Sequence, residues 1–426
     1  MQGRFTTDRD PAAWCAVIAL AFLALVWRRL GVPAEIYFDE VHYVPAARKL
    51  LEGVRVNAEH PMFGKTVLAA ALRWLGDQPL YWRVPSALGG TIGLFAFTRI
   101  VWFASGSARA ALFAGLLLAT DFFWFIHSRI AMLDMTMAAL AMLAGWQLAA
   151  AIRLPGQARW RLALAGVLMG LALGTKWSVA PLLAVPGLAI LAGKLIAHGR
   201  SFLWARPGGP VPGISLIEAG LWLGLVPLAV YWLTFWPAFH WIERPVDPWS
   251  PIAWHEHMLM LQDSVKKPHP YRSVWYQWVG NWRAIWYLYK DFDGVQRGIV
   301  LIGNPFTMLA GLATLGWALW AGLRERRGDL LALVCLYVAS VLFWALSGKP
   351  VQFLYHYLLP STVLMAVLAL ALDGLSRRSD RWRRLAPASL ALSAALFVHF
   401  YPIISAAPLC CGKPSYQQWM WLKSWR

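Results

Sequence analysis

The chain has 426 residues, of which 59% are hydrophobic and only 14% charged, and its mean hydropathy is +0.50. These values exclude an ordinary soluble globular protein and describe a polytopic membrane protein. A net charge of +18 would suggest nucleic acid in a soluble chain, but here the basic residues collect in short segments between apolar runs. That is the positive-inside pattern, and no nucleic-acid partner is expected.

In chain order, residues 1–11 are polar and carry Arg4 and Arg9, and the apolar run 12–30 is long enough to cross a core of ~30 Å. It lacks a small-residue cleavage site and carries Arg28-Arg29 near its end, so it reads as a retained span. The loop 31–80 is then external and is expected to hold the catalytic groups. Within it, 41–51 and 65–75 have helical apolar spacing but are too short to span, as amphipathic interfacial helices are. Further spans are expected near 81–102, 108–126, 131–151, 162–174, 178–196, 214–236, 299–323, 330–346, 353–372 and 385–404, about eleven in all. The fold class is thus all-α, a single integral membrane domain over 1–426.

Arg109, then Arg153, Arg159 and Arg161, then Lys194, Arg200 and Arg206, then Arg324, Arg326 and Arg327, and finally 377–384 fall in alternate loops, which places those loops in the cytoplasm. The opposite face receives 31–80, short turns at 127–129 and 175–177, the long loop 237–297, the turn 347–350 and the tail 405–426. Twenty-seven tryptophans suit interfacial belts. Four cysteines are too few for a disulfide framework, and the state of neighbouring Cys410 and Cys411 is not legible.

The stretch 36–65 is the densest run of ionisable side chains between apolar segments, with Asp39-Glu40, His42, His60 and Lys65. A carboxylate pair in apolar surroundings costs several kcal/mol unless a cation or donor compensates. Arg83, Arg129, Asp134 and Lys176 fall on the same side of the membrane and are candidates to meet it. The alternatives are a solvated loop end for the carboxylates, snorkelling for the basic residues, and structural pairing of Asp121 and Asp134 with Arg129. His255-Glu256-His257 raises a divalent metal, but the spacing is not the i, i+4 of a zinc helix. With Trp254, Met258 and Leu261 it reads as an interfacial helix. No cofactor is expected, and a divalent ion is the alternative.

Several blocks resemble one family. They are Phe38-Asp39-Glu40-Val41-His42-Tyr43, His60-Pro61-Met62-Phe63-Gly64-Lys65, Trp82-Arg83-Val84-Pro85-Ser86, Ser128-Arg129-Ile130-Ala131-Met132-Leu133-Asp134 and Gly174-Thr175-Lys176-Trp177. Later come His269-Pro270-Tyr271-Arg272-Ser273, Leu301-Ile302-Gly303-Asn304-Pro305 and Phe353-Leu354-Tyr355-His356-Tyr357-Leu358-Leu359-Pro360. Together they resemble the bacterial branch of the protein O-mannosyltransferases, polyprenyl-phosphate-sugar-dependent membrane glycosyltransferases of the GT-C fold. Met62 stands where that family has a second proline.

The resemblance implies an inverting transfer of mannose from a polyprenyl-phosphate-mannose donor to a Ser/Thr hydroxyl of a protein. It further implies a bacterial inner (plasma) membrane location with the site on the external, periplasmic face. Asp39 is then the base and Arg83 faces the donor phosphate. Glu40, its neighbour in the catalytic pair, precedes the interfacial helix, where capping of the first turn would make it structural. Lys176 and Arg129 are further candidates for that anion. His42, His60, Lys65, Asp134, His356 and Tyr357 are substrate-site candidates. The chemistry agrees, because a lipid phosphate leaves as a stable anion and the enzyme need only deprotonate the acceptor and offset the departing charge. The alternatives are transfer of another lipid-linked sugar to a lipid or glycan, and a lipid-linked sugar transporter or flippase. The absence of an internal repeat argues against the last.

Overall fold

Inside a hydrocarbon layer each backbone polar group must find its partner within its own segment, so apolar runs of this length fold as helices. The computed structural model describes residues 8–264, 269–292, 294–378, 380–410 and 413–426; Arg4 and Cys411 lie outside the described residues. Helix α1 (Ala12–Trp27) leads into the amphipathic pair α2 (Glu40–Leu51) and α3 (Phe63–Leu75). Then follow α4 (Pro79–Ser105), α5 (Ala108–Ala119), α6 (Phe122–His127), α7 (Leu133–Arg153), α8 (Ala158–Leu173) and α9 (Ala180–His198). Helix α10 (Leu216–Leu233) contains a π turn at Leu221–Leu225. It precedes α11 (Pro251–Asp263), the strands β1 (Ile285–Phe292) and β2 (Val295–Leu301), and four long last helices. These are α12 (Pro305–Arg324), α13 (Gly328–Leu346), α14 (Leu358–Ser376) and α15 (Leu385–Ile404).

Among the described residues, 8 helices are long and apolar enough to cross a membrane, fewer than the about eleven expected from spans of ~20 residues. The other expected spans are helices of 16, 12 and 16 residues, namely α1, α5 and α8. For α5 the reason is local. The Asp121 carboxylate accepts from the Trp124 amide at 2.8 Å and starts α6 as an N-cap, so the expected span 108–126 breaks in two.

The all-α expectation is also corrected. The loop 237–297 ends in an antiparallel hairpin, and residues 299–301, expected to open a span, lie in β2. The helix starts instead at Pro305, capped by the Asn304 side chain on the Phe306 amide at 3.2 Å.

Helix α14 is apolar on every side and sits at the centre, buried except at Gly374 and Leu375, as an all-round hydrophobic helix must be. It packs against α5, α12 and α13, while α4 packs against α7, α1 and α5. Small residues permit the closest approaches. A Cβ on Gly90 of α4 would lie 2.0 Å from Ser128 Oγ, and the Gly90 carbonyl accepts from Trp124 Nε1 at 2.9 Å. The outer faces of α9, α13 and α15 expose apolar side chains such as Ile196, Leu342 and Val398, suited to acyl chains.

The two ends of the bundle differ in chemistry. At one end, Asp10 pairs with Arg99, and Asp373 pairs with Arg109 at 2.7 Å and Arg377 at 2.9 Å. These are the positions that charge bias assigns to the cytoplasm. The other end carries Asp39, the amphipathic helices, α11 and the hairpin.

Candidate active site

The segment between α1 and α2 is a strap held by two buried arginines. Arg129 donates to the carbonyls of Val26, Arg28, Arg29 and Ser405, which closes the carbonyl end of α1. Arg83 donates through Nε and Nη2 to Glu40 at 2.8 and 2.9 Å. Its other N–H groups reach Leu30, Pro33 and Glu35 carbonyls at 3.0, 2.8 and 3.0 Å. A guanidinium has five N–H donors, and all of those on Arg83 are taken.

The expectations for these arginines are therefore corrected. Arg83 has no donor left for a phosphate, and both residues are buried with their donors directed at backbone carbonyls or Glu40. Glu40 is likewise fully buried and committed. Its Oε1 also accepts from Ala131 N at 2.9 Å, and Oε2 from Tyr37 N at 3.2 Å. These bonds anchor the strap to α4, whereas the expected side-chain cap on α2 is absent among the described residues.

Asp39, one residue earlier, points elsewhere. Phe38 has φ of 48°, a left-handed conformation that a bulky residue adopts only when held there. The hold comes from Tyr287, whose ring stacks on Phe38 at 3.9 Å and 20°. Tyr287 is the extra residue of a bulge in β1, since Trp286 pairs with Val300 and Leu288 with Ile299. A bulge re-aims a side chain in this way. The Tyr287 hydroxyl meets His127 Nε2 at 3.2 Å, and His127 Nδ1 lies 2.7 Å from the Phe123 carbonyl. That carbonyl can only accept, so Nε2 accepts from the tyrosine.

The Asp39 carboxylate has no hydrogen-bond partner among the described residues and is only partly buried. Burial pushes its pKa up to about 6, partly offset by Lys176, with Asp134 adding to the rise and His42 and Lys349 opposing it. A free carboxylate poised near 6 is suited to accept a proton near neutral pH.

Lys176 and Lys349, whose charges act on Asp39, line a cavity of about 900 Å³ with His60, Trp344 and His356, and Leu173, Leu228, Leu259 and Phe343 give it apolar walls. Lys176 donates to both Asp134 oxygens at 2.9 and 2.8 Å and lies 4.7 Å from the Tyr355 ring centre. Asp134 thus pairs with Lys176 and not with Arg129. The Lys349 ammonium has no hydrogen bond among the described residues, and burial together with Lys176 pushes its pKa down to about 8, so it is cationic at pH 7. Burial and nearby lysines hold His60 well below its ordinary range, hence neutral.

Of the expected site residues, Asp39, His60, Asp134, Lys176 and His356 converge here. Lys65 is buried behind the site, donating to the Asn57 carbonyl and, at 3.0 Å, to that of His60. His42 is exposed on α2. Tyr357 turns away to bond Tyr337 at 2.6 Å, which corrects its placement among substrate contacts. Sequence reasoning missed Lys349, Trp344 and Tyr287. A lysine in the short external turn 347–350 was a usable signal, whereas nothing in a single sequence marks a bulge. The His255 stretch does form a helix, and His255 stacks on Trp177 at 5.9 Å and 12°. No group of three or more His, Cys, Asp or Glu side chains suited to a metal ion occurs among the described residues.

A helical bundle with a free carboxylate on the strap between its first two helices, near a lysine-bearing cavity, fits a membrane glycosyltransferase of the GT-C class. The fold superposes on the S. cerevisiae protein O-mannosyltransferase Pmt1-Pmt2 complex bound to the sugar donor, with TM-score 0.84 at 14% identity, over 99% of this chain and 93% of that one. It also superposes on ArnT from Cupriavidus metallidurans bound to undecaprenyl phosphate, with TM-score 0.64 at 19% identity, over 95% and 67% of the two chains.

Residues 59–213 match the family described as dolichyl-phosphate-mannose-protein mannosyltransferase, and 250–425 the C-terminal four TMM region of protein-O-mannosyltransferase. A Mycolicibacterium smegmatis protein named polyprenol-phosphate-mannose–protein mannosyltransferase is 28% identical, over 97% of this chain and 93% of that relative. One of the same name from Corynebacterium glutamicum is 27% identical, over 99% and 94%. The chain belongs to the protein O-mannosyltransferase family.

Proposed function

We propose that this protein transfers mannose from a polyprenyl-phosphate-mannose donor to a Ser/Thr hydroxyl of a protein, with inversion, on the external face of a bacterial plasma membrane. The observation that carries the reading is the unpartnered Asp39 carboxylate, raised to about 6 within the field of Lys176 and Lys349, two lysines that line a cavity with both polar and apolar walls. Two relatives bear a name that joins this donor to a protein acceptor.

In the step, the acceptor oxygen attacks the anomeric carbon as its proton passes to Asp39. The bond from that carbon to the phosphate oxygen breaks on the opposite face, and polyprenyl phosphate departs with the electron pair. One displacement inverts the configuration. Lys349 and the Asp134-held Lys176 offset the charge gathering on the phosphate, which is how an anionic leaving group is best stabilised in a partly dry site. The apolar walls accept the prenyl chain. No cofactor enters the step.

Purified protein in lipid nanodiscs, given polyprenyl-phosphate-mannose and a Ser/Thr-rich peptide, is expected to yield mannosylated peptide. Product only on a lipid or glycan acceptor would replace the acceptor assignment. Movement of intact donor across vesicles without any product would replace the reaction with transport.

Lys349 carries a further prediction. Losing a hydrogen bond to a charged group costs roughly 1.5–3 kcal/mol, so Lys349→Met should weaken polyprenyl phosphate binding by about 10- to 100-fold. Peptide KM should change little. Unchanged lipid phosphate affinity would remove Lys349 from the phosphate site.

A further inference from the structure

We propose that His356 reads the hydroxyl groups of the donor's sugar ring and so sets which sugar the enzyme transfers. This rests on the mannosyl-transfer reading above and names the part of the cavity that recognises the sugar. His356 is 7% exposed, yet neither of its ring nitrogens has a hydrogen-bond partner among the described residues. A buried polar atom is costly without a partner. Both cavities that touch this ring contain polar groups, and the larger holds His60, Lys176 and Lys349.

The ring is held in its plane by its neighbours. It stacks on Trp344 at 3.7 Å and 15°, and the rings of Tyr355 and Trp278 stand edge-on to it at 4.5 and 6.0 Å. The plane in which its two nitrogens lie is therefore set before any ligand arrives.

The chemistry of those nitrogens selects the ligand class. A neutral imidazole offers one N–H and one lone pair. A phosphate uses only donors, and the lysines supply them with charge. A sugar hydroxyl is donor and acceptor at once, and matches the imidazole. With phosphate at Lys349 and Lys176, and the reacting carbon within reach of Asp39, the sugar ring must lie in the same cavity that His356 and Trp344 line. His60, whose Nδ1 is also buried without a partner and which lines the same cavity, is placed to take a second hydroxyl. A rigid group reading a hydroxyl discriminates strongly, because the wrong sugar leaves it unpaired.

The test uses the full-length protein in nanodiscs and a set of polyprenyl-phosphate-mannose donors, each lacking one ring hydroxyl. In wild type, at least one deoxy donor should lose about 10- to 100-fold in kcat/KM. His356→Phe keeps the stack on Trp344 but has no nitrogen. It should lose a similar factor with the natural donor, lose nothing more with that deoxy donor, and bind polyprenyl phosphate within twofold of wild type. His356→Gln, which keeps a donor and an acceptor, should recover part of the loss, and it decides the comparison if the Phe variant does not fold. A wild type indifferent to every deoxy donor, or variants with the wild-type deoxy pattern, would overturn the role of His356 alone. A wild type that transfers no mannose would overturn the underlying function as well.

Discussion

Asp39→Asn is expected to cut transfer by ~10²–10⁴-fold, the usual weight of general base catalysis, while polyprenyl phosphate still binds. The amide keeps the shape of the carboxylate and removes the lone pair that takes the acceptor's proton. Because the Asp39 pKa stands at about 6, the group is protonated and inactive below that pH and ionised above it. Wild-type kcat/KM should therefore rise from pH 5 to pH 7 and level off. The residual activity of Asp39→Asn should lack this rise. A steady-state pH profile of both proteins checks the assignment, and near-wild-type transfer by Asp39→Asn would sink it.

Glu40→Gln should be the most destabilising of the conservative changes at the strap. Both oxygens of Glu40 accept two hydrogen bonds, Oε1 from Arg83 and Ala131 and Oε2 from Arg83 and Tyr37. A glutamine must turn its NH₂ toward two donors and leave the Arg83 guanidinium without a counter-charge at 0% exposure. Breaking a buried pair from one side costs about 3–5 kcal/mol. The expected result is a clear loss of thermal stability for Glu40→Gln in detergent, absent in Asp39→Asn, with activity falling in step with the folded fraction. Wild-type melting combined with abolished transfer would instead make Glu40 the base. Arg83→Ala is expected to behave as Glu40→Gln does, through the fold and not through donor affinity.

These adjacent acids show where one-dimensional reading stops. Asp39-Glu40 is visible as an unusual pair from the chain alone, but which acid is left without a hydrogen-bond partner depends on Phe38. Its left-handed turn is held by a tyrosine nearly 250 residues away in sequence, Tyr287, on a bulged strand. A bulge has no period and no signature composition, so pattern reading passes over it. The same holds for Arg83. Its place in a motif implies a phosphate contact, whereas the carbonyls that consume its donors are brought together only by α4 meeting the strap.

The membrane class and the helical character of the apolar runs were determined by the sequence itself, and the expected side of the acids was read from the same chain. Each depends on local hydropathy or on charge counted along short loops, and the bilayer enforces both without help from distant residues. The amphipathic helices at 41–51 and 65–75 were legible for the same reason, since a period of apolar residues is a local property, and they appear as α2 and α3. The tertiary structure alone decided which groups hold Glu40, the commitment of the Arg83 donors to the strap, and the recruitment of Lys349 and Trp344 to one cavity with His356. Those outcomes depend on which donors have been used up and which remain, and that account closes only when segments far apart in the chain are packed against one another.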